Sequence, residues 1–158
     1  MICDDISDFA AALPRHGALA GLDLGTRTIG IAVSDGFRAV ATPLHTIKRK
    51  KFTIDAEALV AVLLGRHISG VVLGLPRNMD GSEGPRSQAT RAFAKNLSAL
   101  TELPIVLWDE RFSTAAAKRT LLAVDASRAQ QKATVDALAA QFFLQGWVDA
   151  GAPAGDGL

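Results

Sequence analysis

Residues 18–35 read ALAGLDLGTRTIGIAVSD, two β-rich runs separated by a turn around Gly25–Arg27. The gap is too short for a helix, so the runs predict an antiparallel pair. Ala39–Ile47 (AVATPLHTI) predicts a third strand, with Pro43 tolerated near a strand end or at a sheet edge. The pattern then changes. Phe52–His67 places Ala56, Leu59, Val60, Leu63 and Leu64 at helical spacing. SGVVLGLP, residues 69–76, is a continuous apolar run of the kind buried on both faces of a parallel sheet. Pro85–Leu100 predicts a helix with Ala89, Ala92, Phe93 and Leu97 on one stripe, and PIVLW (104–108) a fifth strand. Ser113–Val124 and Lys132–Ala150 read as further helices. The expected architecture is α/β: a five-stranded mixed sheet, a three-strand antiparallel meander plus two parallel strands, with helices on both faces.

This order of elements is similar to the ribonuclease-H-like fold, in which the meander pairs and later strands join parallel to the first. The length of 158 residues suits one domain with a real core, and 49% hydrophobic with 21% charged residues argues against disorder, collagen or coiled coil. The single cysteine, Cys3, excludes an intramolecular disulfide and a cysteine-based zinc site; His16, His45 and His67 show no ligand spacing. No apolar run reaches membrane-spanning length, and the opening MICDDISD is acidic where a signal peptide would be basic, so a cytoplasmic protein without membrane contact is expected. Residues 1–17 and the tail GAPAGDGL (151–158) read as disordered ends around a domain at 18–150. Without those ends the net charge of +1 becomes 16 basic against 12 acidic residues, a mild lean toward anionic partners.

Ligands of such sheets gather at the carboxyl ends of the parallel strands. Asp23 lies inside the first run, between Leu22 and Leu24, where an unpaired buried charge would cost several kcal/mol. Asp109 and Glu110 end the fifth strand in LWDER. Asp136, in KATVDALAAQFF, shares a helical stripe with Ala140, Phe143 and Trp147. Carboxylates converging from two strand ends and a helix would repel one another unless a cation lay between them, and Mg²⁺ (or Mn²⁺) suits oxygen ligands and substrate phosphates. Two such ions about 3.5–4 Å apart would stabilise both oxygens of an in-line phosphodiester displacement. Each carboxylate also has a plain structural use: Asp23 in a turn, Asp109 paired with Arg111, Asp136 near a helix N-terminus.

GLDLGTRTIGIAVSD, VVLGLPRNMDGSEGPRSQATRAFA, LWDERFSTAAA and KATVDALAAQFFLQ occur in the order and spacing of the YqgF/RuvX family, and the chain resembles that family from about Ala18 to Trp147. The resemblance implies a Holliday-junction-resolvase-like nuclease that trims the 5′ side of immature 16S rRNA. The family's acidic triad maps onto Asp23, Glu110 and Asp136. Strand alternation lets only one of Asp109 and Glu110 point inward; Glu110 is favoured, with Asp109 a candidate for a supporting place behind the ligands.

Other motif residues admit two uses each. Gly25 and Thr26 shape a turn that lets backbone approach a phosphate; Arg27 on it is a phosphate clamp or a surface arginine. GLPRNMDGSEGPR (74–86) suits a substrate-gripping loop through Arg77 and Arg86, while Asn78, Asp80 and Gly81 equally serve to shape it. Arg111 orients Glu110, binds phosphate or forms a salt bridge; Ser113 or Thr114 reads as a helix cap; Lys132 binds phosphate or is merely solvated. The run Lys48, Arg49, Lys50, Lys51 is either a solvated loop or a track for a nucleic-acid backbone. With no tyrosine in the chain, recognition is expected to lean on phosphates and shape rather than base stacking.

Competing classes are separable. A two-domain ATPase of the actin/Hsp70/sugar-kinase type also opens on GLDLGT but needs a second domain that this length does not supply. A phosphate-binding loop of the Walker type would need lysine where Ile31 stands. The expected partner is nucleic acid, pre-16S rRNA ahead of branched DNA, within a pre-ribosomal 30S particle. A factor that binds rRNA without cutting it is the alternative.

Overall fold

The structure, a computed structural model, describes residues 1–3, 5–110, 137–141 and 144–148. Within them the alternating and continuous apolar runs become strands β1 (Ile2–Cys3), β2 (Ala18–Leu24), β3 (Thr28–Ser34), β4 (Ala41–Lys48), β5 (Ile68–Leu75) and β6 (Ile105–Asp109). The helical spacings become α1 (Ile6–Ala12), α2 (Phe52–Gly65) and α3 (Pro85–Ser98), and residues 137–141 and 144–148 are also helical. The sheet order is β1-β6-β5-β2-β3-β4. β2–β3 and β3–β4 pair antiparallel, while β2–β5, β5–β6 and β6–β1 pair parallel. The meander and the two later parallel strands are as expected.

Two features correct the sequence reading. The sheet has six strands among the described residues rather than five, because Ile2 and Cys3 pair with Ile105 and Val106. The segment before Ala18, expected to be disordered, supplies β1 and α1. Ile6, Phe9 and Leu13 fall at helical spacing, and Asp5 caps the helix by accepting the Asp8 N–H at 2.8 Å. Phe9 is fully buried, edge-on to Trp147 with ring centroids 5.2 Å apart. Acidic composition hid that apolar stripe. Arg38 then ties the segment down, donating to the carbonyls of Gly17 (2.8 Å) and Pro14 (2.7 Å). Its backbone is left-handed (φ 58°), and burial lowers its pKa below the ordinary guanidinium value.

Smaller differences have local causes. Pro43 does lie on an edge strand, where the β3–β4 register slips between Ile31 and Ala32. In α2 the inward residues are Asp55, Ala56, Leu59 and Leu63, whereas Leu64 is 71% exposed. In α3 the buried stripe is Ser87, Thr90, Phe93, Ala94 and Leu97, leaving Ala89 and Ala92 exposed. Two polar residues hold that stripe because one is satisfied locally: the Ser87 hydroxyl donates to the Pro76 carbonyl.

The core has two layers. Leu22, Leu24, Ile29, Ile31, Val71, Leu73 and Ile105 meet Leu59, Leu63, Phe93 and Leu97 of α2 and α3. On the other face Leu19, Ala32, Val72, Val106 and Trp108 meet Phe9 of α1 and Ala139, Ala140, Leu144 and Trp147 of the last helix. That helix crosses β2 closely. A Cβ on Gly21 would lie 2.8 Å from Leu144 Cβ and 2.9 Å from the Ala140 carbonyl oxygen.

Candidate active site

β4 is antiparallel to β3, which is antiparallel to β2; β5 and β6 are parallel to β2. The carboxyl ends of β2, β4, β5 and β6 therefore lie together, at Leu24, Lys48, Leu75 and Asp109. This one end of the sheet gathers Asp23, the turn 25–27, the basic run 48–51, the loop after β5 and the pair Asp109–Glu110. It is where ligands of open α/β sheets bind.

The carboxylates divide between two faces. Leu22 and Leu24 pack toward α2 and α3, so Asp23, 8% exposed, faces the side of the last helix. In β6, Leu107 packs on the α2/α3 side and Trp108 on the side of the last helix. Asp109, 9% exposed, consequently turns to the α2/α3 side, with Oδ2 3.9 Å from Arg77 Nε. Glu110, half-buried, lies just past the strand end, where the extended backbone of β6 gives way to a tight helical turn. Asp136 lies outside the described residues, as do Arg111, Ser113, Thr114 and Lys132. Among the described residues no three His, Cys, Asp or Glu side chains gather where one ion could join them.

The basic groups differ in what they are free to do. Lys48, Lys50 and Lys51 are exposed, as are Thr26 and Arg27 on the turn after β2. The register Thr28↔Lys48 brings the end of β4 beside that turn. Arg49 is half-buried and turned inward, its Nη1 donating to the Gly25 carbonyl at 2.6 Å. Arg86 is exposed but also donates from Nη2 to the Leu24 carbonyl at 3.0 Å. Asp55, not singled out from the sequence, accepts the Lys50 N–H at 2.9 Å and so fixes the backbone of the basic run where it enters α2. A buried acid in the first turn of a helix, five residues past Lys50, was the available signal.

The loop between β5 and α3 is built by its own side chains. Asn78 and Asp80 both bind Ser82, at 2.9 Å between Asn78 Nδ2 and Ser82 Oγ and 2.6 Å between Ser82 Oγ and Asp80 Oδ1. Gly81 takes the left-handed backbone (φ 89°) that this turn requires. Glu83 receives both guanidinium arms of Arg91 at 2.6 Å and lies 3.4 Å from Arg77 Nη2. The hydrogen bonds from Arg91 hold its carboxyl below the ordinary range, with Arg77 adding to the effect. Arg77 and Arg91 face Asp5 and Ser7 of the N-terminal segment across a cleft of about 550 Å³, which also reaches Asp109.

A six-stranded sheet of this order, with acidic and basic groups meeting at its carboxyl end, is a RuvC-like ribonuclease-H-fold architecture. Among solved structures, the Thermus thermophilus RuvC bound to a Holliday junction superposes with a TM-score of 0.53 at 16% identity, covering 87% of this chain and 98% of that one. The fowlpox virus resolvase, solved with Holliday junction DNA, gives 0.51 at 13% identity over 84% and 97%. Both likenesses show the fold. The chain belongs to the RuvX family, described as Holliday junction resolvase, whose model matches residues 17–150. Relatives from Ruegeria pomeroyi and Paracoccus denitrificans are each 61% identical over 149 residues, covering 94% of this chain and 97% and 94% of theirs; both bear the name "Putative pre-16S rRNA nuclease". The Rhodobacter capsulatus relative, of the same name, is 62% identical over 94% of both chains. The protein is a nuclease and acts on nucleic acid. Among the described residues no helix is long and apolar enough to cross a membrane.

Proposed function

We propose that this nuclease hydrolyses phosphodiester bonds on the 5′ side of pre-16S rRNA during 30S assembly in the cytoplasm, with Mg²⁺ or Mn²⁺ held by Asp23, Glu110 and Asp136. The observation that carries the proposal is the meeting, at one end of the sheet, of a buried aspartate with an exposed basic run. Asp23 and Glu110 offer hard oxygen donors at the same end of the sheet, which is the chemistry a small divalent ion takes. Asp136 precedes Ala140 by four residues in sequence, and Ala140 packs over Gly21, two residues before Asp23. When bound, such an ion lowers the pKa of a water and offsets charge developing on the phosphate oxygens.

The chain's own residues supply the rest. Arg27 on its exposed turn reaches for a phosphate beside the scissile bond. Lys48, Lys50 and Lys51 continue the contact along the backbone, and Arg77 faces it from the cleft. The buried surroundings of Asp23 keep water away from its carboxylate and strengthen each electrostatic contact there. Branched DNA is the second substrate, favoured by the description of the matched family.

The experiment is cleavage of precursor 16S rRNA and of four-way DNA junctions, side by side, with Mg²⁺, with chelator, and with Asp23→Asn. Cutting of the RNA that needs the ion and vanishes in Asp23→Asn is expected. Preferential cutting of junctions would move the substrate to DNA, and binding without cutting would make the protein an rRNA-binding assembly factor.

A further inference from the structure

The turn after Asp23 is held from both flanks of β2. Arg49, one residue past β4, donates from Nη1 to the Gly25 carbonyl at 2.6 Å and from its backbone N–H to the Arg27 carbonyl at 2.8 Å. Arg86, in the first turn of α3, donates from Nη2 to the Leu24 carbonyl at 3.0 Å. The turn closes on itself through the Gly25 N–H and the Thr28 carbonyl at 2.8 Å. The carbonyls of residues 24 and 25 are thus held by the side chains of Arg86 and Arg49, and that of residue 27 by the backbone of residue 49, from two elements flanking β2.

We propose that Arg49 and Arg86 are positioning residues, which set the backbone of Leu24–Arg27 and thereby hold the Asp23 carboxylate and the Arg27 side chain in the geometry that cleavage needs. The proposal rests on the assignment of Asp23 to the reaction. Arg49 is half-buried, and Arg86, although exposed, shares with it the use of a guanidinium donor on the chain's own backbone. Charged donors make short, strong bonds to carbonyls, and the planar guanidinium fixes direction as well as distance. A lysine ammonium keeps the charge but is a compact, strongly hydrated group without that fork. The sequence order disguises this use, because Arg49 lies in the middle of the basic run.

The test uses Arg49→Lys and Arg86→Lys in the full chain with Mg²⁺ present. Three quantities are measured: kcat and KM on the RNA substrate, the salt dependence of RNA binding, and amide exchange at Gly25 relative to Leu73 in the core of β5. A displaced turn is expected to lower kcat by up to about 10²-fold, with KM held within about twofold. The salt slope stays unchanged, and exchange at Gly25 speeds up by about tenfold or more while Leu73 keeps its protection. Near-normal kcat in both lysine variants would overturn the proposal, since phosphate contacts survive a charge-conserving change. Equal loosening of Gly25 and Leu73 would also overturn it, as a sign of general destabilisation. The exchange result stands apart from the assignment of Asp23: full activity in Asp23→Asn would remove that assignment and leave the clamp on the turn to be judged by exchange alone.

Discussion

Gly21→Ala tests the seat of the last helix on the strand that carries Asp23. The added Cβ would meet Leu144 Cβ at 2.8 Å and the Ala140 carbonyl oxygen at 2.9 Å. Carbon atoms pack best at about 3.5 Å or more, so the helix must retreat by about 0.7 Å or β2 must bend. Neither contact is the far end of a flexible side chain, so rotamer changes offer little relief. Overpacking of this kind costs about 1–3 kcal/mol, equivalent in a chain of this size to a fall in Tm of roughly 2–12 °C. The effect on cleavage should exceed the effect on stability. The proposed site spans β2 and the segment just before residue 137, and a displacement approaching 1 Å can cost about 10²-fold in rate. The assays are urea denaturation for ΔG and single-turnover cleavage with Mg²⁺. Gly65→Ala is the internal control: its Cβ meets nothing within 4 Å, and the helical backbone there favours alanine by about 0.4–1 kcal/mol. Unchanged stability and activity in Gly21→Ala would mean that the helix does not pack on β2 as described.

Other predictions follow from the same geometry. Glu110→Gln should reduce cleavage far more than Asp109→Asn, because Asp109 turns to the opposite face beside Arg77; the reverse order in a turnover assay would exchange their roles. Replacing Lys50 and Lys51 by alanine should flatten the slope of log binding constant against log salt by about one unit per lost phosphate contact, and an unchanged slope would return the run to a solvated loop. Phe9→Ala should destabilise by about 3–5 kcal/mol in chemical denaturation, against almost nothing if α1 were a detachable extension. Asp35 accepts N–H bonds from Val40, Ala39 and Phe37, which together outweigh its desolvation and hold its pKa below the ordinary 3.8. A depressed carboxylate contributes stability above its unfolded pKa and loses it as pH falls through the folded one. Asp35→Asn should therefore melt lower than the parent at neutral pH, with the gap closing below pH 3.8; a gap independent of pH would refute the charge-based account.

Much of the fold was legible because backbone periodicity is a local property. The change from two-residue to helical spacing near residue 50 marked the end of the meander, and the unbroken apolar run of β5 marked a strand covered on both faces. Asp23 was legible because a carboxylate amid strand hydrophobes is costly without a reason. The N-terminal segment is not legible from composition because its sparse apolar stripe is set among charges; Phe9 is buried where Gly70 leaves room for its ring and Trp147 packs against it. The inward stripe of α3 could not be read from apolar residues alone, since Ser87 is accommodated by a carbonyl of the preceding loop.

Residue types and their spacing, by themselves, determined five of the six described strands, the helices α2 and α3, and the acidic and basic groups proposed for the chemistry. Tertiary structure decided what each group faces. Packing on the two faces of β6 set Asp109 on the side opposite Asp23, and the antiparallel return of β4 delivered the basic run to the carboxyl end of β2. It also gave Arg49 and Arg86 each a backbone carbonyl of the turn beside Asp23 as a partner. The physical reason is that periodicity follows from backbone geometry within one segment, whereas the partner of a charge depends on elements distant in sequence that meet only when the sheet assembles.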